Sequence, residues 1–281
     1  MMLQMNHARS WRPSRRTGGF TLLEVMIVVA VIALLVAILL PSLSAAREQS
    51  RRAICLANLK QLHLAWSMYL DGSQGRFPTG MNLEFNYGGL QGAGSFYFGS
   101  DPGYPVPKPL NVALKLPQVL RTGGEVFRCP SDKGTGLVRP TSIGYYGTSY
   151  YPNHLLVGRN VWVPSASPCV EAWNELVGDP WGYPPRYGML EGVRRDRIDD
   201  PALVVLIGDS AWLDNWDEMV PEEFPYWHQA KAKHNFAFMD GHGAVVHIRK
   251  GIHTDKGHYS IIPFRRIREK MTRTQQEIIP P

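Results

Sequence analysis

From Phe20 to Leu40 the only polar side chains are Thr21 and Glu24, and this run limits the chain's options more than any other feature. A helix needs about 20 mostly apolar residues to cross a bilayer, so the run is a candidate membrane span. The pattern continues beyond it. Cys55, Leu59, Leu62, Trp66 and Tyr69 follow at steps of four, three, four and three, which places them in one stripe on a helix. Ala45, Ala46, Arg47, Glu48 and Gln49 between the two parts are good helix formers, and no glycine occurs from Phe20 until Gly72. One helix of about 75 Å at 1.5 Å per residue is therefore expected. Pro41 removes a backbone donor and crowds the carbonyl of Ala37, so a kink or a meltable turn is expected there.

Glu24 is the residue that most needs explaining. An ionisable group inside a membrane helix costs about 2.5–3.5 kcal/mol on insertion scales, which calls for a partner or a function. The apolar run contains no basic residue to serve as one. A cut after Gly19 would create one, because the freed ammonium of Phe20 on one subunit could pair with Glu24 on a neighbour.

Gly18-Gly19-Phe20-Thr21-Leu22-Leu23-Glu24, followed by the apolar run, resembles the prepilin cleavage and methylation motif of type IV pilins and pseudopilins. The resemblance implies a short basic leader removed between Gly19 and Phe20, N-methylation of Phe20, and assembly roles for Glu24 and Pro41. It is close over about the first seventy residues. Cys55 with Asn58-Leu59-Lys60-Gln61 and Tyr69 also resembles the large pilin-like families common in planctomycete-type bacteria. The later match is looser, resting on Cys129-Pro130-Ser131-Asp132 and Asp240-Gly241-His242.

Two other readings of the run compete. Ser44-Ala45-Ala46 has the small-x-small form that signal peptidase accepts, and a plain single-span anchor would not polymerise. Neither explains Glu24. Charge does not settle orientation, because Arg47, Arg51 and Arg52 lie just past the span opposite the leader's arginines. The resemblance implies leader inside and domain outside.

The formal charge of +6 could suggest nucleic acid, but four of the 30 basic residues, Arg9, Arg12, Arg15 and Arg16, precede Phe20. The rest holds 26 basic against 24 acidic residues, or about +2, so no nucleic-acid partner is expected. Cys55, Cys129 and Cys169 show no CxxC and no zinc-like spacing. An extracytoplasmic domain allows one disulfide among them, with its pairing open and the odd thiol left buried or free.

After residue 70 the chain is dense in glycine, proline and aromatics, including Phe85, Tyr87, Phe96, Tyr97, Phe98 and Tyr104, and reads as irregular loops up to Pro109. These rings could grip carbohydrate or a protein partner, but the commoner explanation is that they pin the loops onto a small sheet. Val204 to Ile207 reads as a buried strand. Asn235 to Met239 and Ala244 to Ile248 read as a hairpin around Asp240-Gly241-His242-Gly243. Arg265 to Pro281 is charged and weakly amphipathic, a short helix or a loose tail. The expected fold is α+β and pilin-like, with the helix stripe packed on an antiparallel sheet.

The candidate metal residues are His234, Asp240 and His242, with Asp209 nearby, since histidines and carboxylates at strand ends can hold a water-activating metal. The spacing fits no zinc signature, and a polar hairpin turn explains the same residues. Asp214, Asn215, Asp217 and Glu218 offer oxygens at a density that calcium favours, and the type II resemblance implies a calcium loop in major pseudopilins. They lack that loop's glycine and alternation, so no cofactor is expected. No GxSxG, HExxH or phosphate-binding glycine loop occurs, and the chain reads as no enzyme.

The expectation is a filament subunit. It comprises a leader over 1–19, a membrane and filament-core helix over 20–41, its amphipathic continuation over 42–71, and an extracytoplasmic domain over 72–281. Its expected partners are other pilin or pseudopilin subunits, a prepilin peptidase, an inner-membrane assembly platform and the lipid bilayer. It would be held in the inner membrane with the domain in the periplasm. The alternative is a periplasmic metal-dependent hydrolase or carbohydrate-binding protein that borrows a pilin-like anchor.

Overall fold

The computed structural model describes residues 19–79, 86–92, 108–135, 140–157, 161–162, 187–188, 192–212, 227–229, 232–249, 252–255 and 257–278. The chain divides into two compact units after Ala46. Helix α1, Leu22–Gly72, supplies the described residues of the first unit beyond Thr21 and continues into the second. The helix is unbroken at Pro41, where Ser42 Oγ donates to Leu39 O at 2.8 Å. Its apolar side chains from Leu22 to Leu43 are exposed. It is the one helix among the described residues that is long and apolar enough to cross a membrane.

In the second unit α1 becomes one-sided. Cys55, Leu59, Leu62, Ala65, Trp66 and Leu70 are buried on one stripe, with Tyr69 only packed against its margin. The helix closes when Gly75 N–H turns back to Leu70 O at 2.7 Å, with Gln74 and Gly75 both at positive φ.

The stripe meets a four-stranded antiparallel sheet of order β1-β4-β5-β6, formed by Tyr150–Pro152, Val205–Asp209, Lys233–Phe238 and Gly243–His247. Strands β2, Val161–Trp162, and β3, Tyr187–Gly188, pair separately, as do β7, Thr254–Asp255, and β8, Tyr259–Ser260. Alternation along β5 sends Ala237 toward the α1 side of the core while Phe236 and Phe238 join a second cluster. That cluster includes Trp212, Ile248, Ile252, Tyr259, Ile261 and Ile262, together with Ile267 and Met271 of a C-terminal helix, Arg265–Ile278. The sheet is thus covered on both faces, so β4 reads as an unbroken apolar run and not as an alternating one.

The hairpin β5–β6 turns at Met239 to His242, with Gly241 at φ 91°. Its tip lies against α1. His63 Nε2 lies 3.3 Å from Met239 O, and a Cβ added at Gly241 would sit 2.8 Å from the His63 ring. The α+β pilin-like layout expected from the sequence is the one observed.

Candidate functional site

At the start of α1, Thr21 and Glu24 close a reciprocal cap. Thr21 Oγ1 accepts the Glu24 N–H at 3.2 Å, and Glu24 Oε2 accepts from Thr21 N at 2.8 Å and Thr21 Oγ1 at 2.9 Å. This is a capping box, in which threonine and glutamate three residues apart satisfy two of the helix's orphan donors. Within one subunit, therefore, Glu24 already has a partner. Gly19 and Phe20 precede the cap in non-helical, exposed backbone, and among the described residues nothing lies within 4 Å of where a Gly19 side chain would stand. The exposed apolar helix follows directly.

A second constellation lies wholly within the domain unit, below α1. Glu48 is seven residues before Cys55 and sits on the same buried stripe. Its Oε1 accepts from Ser131 Oγ at 2.6 Å and faces His228 Nδ1 at 2.9 Å, while Arg51 lies 3.4 Å from Oε2. Burial works to raise the Glu48 carboxyl, but Ser131, His228 and Arg51 together outweigh it and hold it below the usual carboxylate range. His228 is itself buried in left-handed backbone, φ 55°, with Arg52 donating to its carbonyl at 3.1 Å. Its burial pulls its pKa down, against the pull of Asp209 and Glu48. With Nδ1 facing Glu48, Nε2 is turned to the other side of the ring. Opposite it are Cys129 Sγ at 3.5 Å and Asp209 Oδ2 at 3.8 Å. Cys129 is bonded to Cys55, with their Cα atoms 5.3 Å apart.

Comparison with known proteins decides what the first constellation belongs to. Residues 14–40 match the family model described as the prokaryotic N-terminal methylation motif. The chain is 30% identical over 134 residues to type II secretion system core protein G of Aeromonas hydrophila, covering 47% of this chain and 78% of that one. The chain belongs to the type IV pilin and pseudopilin family. It is also 42% identical over 55 residues to the type IV wide pilus major component of Thermus thermophilus, which is 20% of this chain and 42% of that one. To core protein G of Klebsiella pneumoniae it is 38% identical over 66 residues, 23% of this chain and 46% of that protein. It thus spans less than half the length of these last two. No solved structure matches.

In this pilin-like chain the metal candidates are scattered. His234 Nδ1 pairs with Asp209 Oδ1 at 2.9 Å, while His242 Nδ1 pairs with Asp240 Oδ1 at 2.7 Å and its ring stacks on Phe238 at 4.2 Å. His234 and His242 stand at opposite ends of β5, as a strand plus a turn requires, so His234, Asp240 and His242 do not form one metal set. Asp214, Asn215, Asp217 and Glu218 lie outside the described residues, as do Cys169 and the rings of Phe85, Phe96, Tyr97, Phe98 and Tyr104.

Tyr87, by contrast, is buried, stacked on Trp66 at 5.8 Å and hydrogen-bonded to Thr148 and Tyr150 O, so it pins a loop to the core. The looser family block Cys129-Pro130-Ser131-Asp132 also has a physical role. Cys129 forms the disulfide, Ser131 holds Glu48, and Asp132 accepts the N–H groups of Gly134, Ser142 and Ile143 at 2.8–2.9 Å. Sequence reasoning missed Glu48 and His228. The available signal was a carboxylate one heptad before Cys55 on an otherwise apolar stripe.

Proposed function

We propose that this chain is made as a precursor held in the inner membrane by the first part of α1, with its leader in the cytoplasm and the domain unit in the periplasm. A prepilin peptidase cuts between Gly19 and Phe20, Phe20 is N-methylated, and the subunit enters a type II secretion pseudopilus or type IV pilus-like filament through its helix. Other pilin or pseudopilin subunits and an inner-membrane assembly platform are its partners. The role of structural filament subunit follows from family membership, since the named relatives are components of a secretion system and a pilus. We assign no catalytic role.

The observation that carries this reading is the exposed Gly19–Phe20 junction, joined through a Thr21–Glu24 cap to an exposed apolar helix. Such a helix face is unstable in water and is covered either by lipid or by neighbouring helices. Cleavage adds a new charge beside it. The Phe20 ammonium of one subunit and the Glu24 carboxylate of another would then satisfy each other in low dielectric, which sets axial register, while helix packing supplies most of the cohesion.

The capping box makes the test sharper. Glu24→Gln keeps a side-chain acceptor for Thr21 but removes the charge, whereas Glu24→Val removes both. The proposal expects both variants to be processed and both to enter filaments poorly. Wild-type incorporation of Glu24→Gln would reduce Glu24 to a helix cap. Gly19→Leu should keep its leader, and normal processing of that variant would remove the peptidase step.

A further inference from the structure

The corner where His228 Nε2 meets the disulfide gathers two sulfurs and an imidazole nitrogen. Cys55 Sγ, Cys129 Sγ and a His228 ring nitrogen lie within 4.8 Å of one another, all buried. Asp209 Oδ2 stands 3.8 Å from Nε2 but already accepts from Asn235 N at 2.9 Å and Asn235 Nδ2 at 3.1 Å, so it borders the corner and is not counted among its ligands. Glu48 Oε1 faces Nδ1 at 2.9 Å, which leaves Nε2 as the ring nitrogen turned to the sulfurs, 3.5 Å from Cys129 Sγ.

We propose that, once the Cys55–Cys129 disulfide is reduced, this corner binds a soft divalent cation of the zinc class through both thiolates and His228 Nε2, with the fourth tetrahedral position taken by water. Three features on separate elements support it. Bond lengths of about 2.3 Å to sulfur and 2.0–2.1 Å to imidazole give a tetrahedral sulfur–nitrogen edge of about 3.6 Å. The Cys129 Sγ to Nε2 distance is already 3.5 Å. The Glu48 carboxylate on Nδ1 is the outer partner that metal-bound histidines use to fix their tautomer, and Ser131 in turn fixes Glu48. Finally, His228 is held in left-handed backbone, with Arg52 on its carbonyl, so its ring direction is built at a conformational cost.

The chemistry balances simply. An external dithiol passes two electrons and two protons to the sulfurs and leaves as its own disulfide, and the cation then displaces the two thiol protons to solvent. The domain has two closed states, disulfide or metal-bound, selected by the local thiol poise. Cysteine spacing gave no hint of this, because the two residues are 74 apart and their third ligand is on a distant turn.

The test uses the full chain in detergent, reduced with dithiothreitol, desalted anaerobically and titrated with Co(II). One Co(II) per chain is expected, with a thiolate-to-cobalt charge-transfer band and tetrahedral visible bands that Zn(II) abolishes. The oxidised chain should show neither. Cys169→Ser should keep the bands, Cys129→Ser should lose them, and Glu48→Gln should weaken affinity by about 10- to 100-fold. Should reduction unfold the domain, added Zn(II) is expected to restore native tryptophan fluorescence. Native circular dichroism without cobalt bands overturns the proposal, as do bands that survive Cys129→Ser, unchanged affinity in both His228→Ala and Glu48→Gln, or an unfolded reduced chain that zinc does not restore.

Discussion

Replacing Cys55 and Cys129 by alanine opens a loop whose ends are 74 residues apart, and the size of the loss can be worked out in advance. In the chain-entropy model, closing a loop of that length removes about 4.5 kcal/mol of entropy from the unfolded ensemble at 25 °C. The bond also joins α1 to the loop that carries Ser131 and Asp132, so the constraint acts between distant parts of the domain. The assay is urea unfolding of the chain from Arg47 onward, followed by tryptophan fluorescence with chelator present, since Arg47–Pro281 forms its own compact unit. The double variant should lose about 4 kcal/mol and should show a larger m, because its unfolded chain is less compact. Each single replacement breaks the same bond, so each should cost nearly as much as the double, a strong departure from additivity. A loss under about 1 kcal/mol with m unchanged would falsify the reasoning and mean that the unfolded chain already holds these ends together.

Two further predictions concern the same unit. His154 and His253 are buried, and burial pushes them down to about 4 and about 3, the second also through its neighbour His154. Since the folded state favours the neutral form, their contribution is complete above about pH 6.5 and is lost as pH falls, by about 2 kcal/mol per histidine at pH 5. Urea midpoints at pH 7.5 and pH 5 measure this, and His154→Gln should remove about half of the drop; equal midpoints in the parent chain would contradict it. Gly147 ends the helix Ser142–Tyr146 at φ 83°, and a Cβ there would lie 1.9 Å from Leu90 O. Gly147→Ala should therefore cost about 2–3 kcal/mol or more in thermal or urea melts, and a neutral result would show that the two backbones separate easily.

Much of the fold was legible because it follows from periodicity. The apolar run and the Cys55-to-Trp66 stripe gave α1, and the glycine-bearing turn after Met239 gave the β5–β6 hairpin. Other parts depend on contacts distant in sequence. The C-terminal segment settles as a helix because Ile267 and Met271, one turn apart, find the far face of the sheet, which composition alone does not reveal. The disulfide pairing needed the fold, since spacing treated the three cysteines alike. Glu24 is legible as a charge that needs a partner, and the Thr-x-x-Glu spacing displays its local cap with Thr21. Asp209 and His234 were noticed as strand-end groups, and they do pair, but the residues around His228 come from α1, a loop, β4 and a turn.

The most direct test of the central claim is the mass of the amino-terminal peptide of the protein recovered from its native membranes. The account predicts a peptide that begins at N-methylated Phe20. A peptide beginning at Arg47, cut after Ser44-Ala45-Ala46, would show an ordinary secreted protein and contradict it.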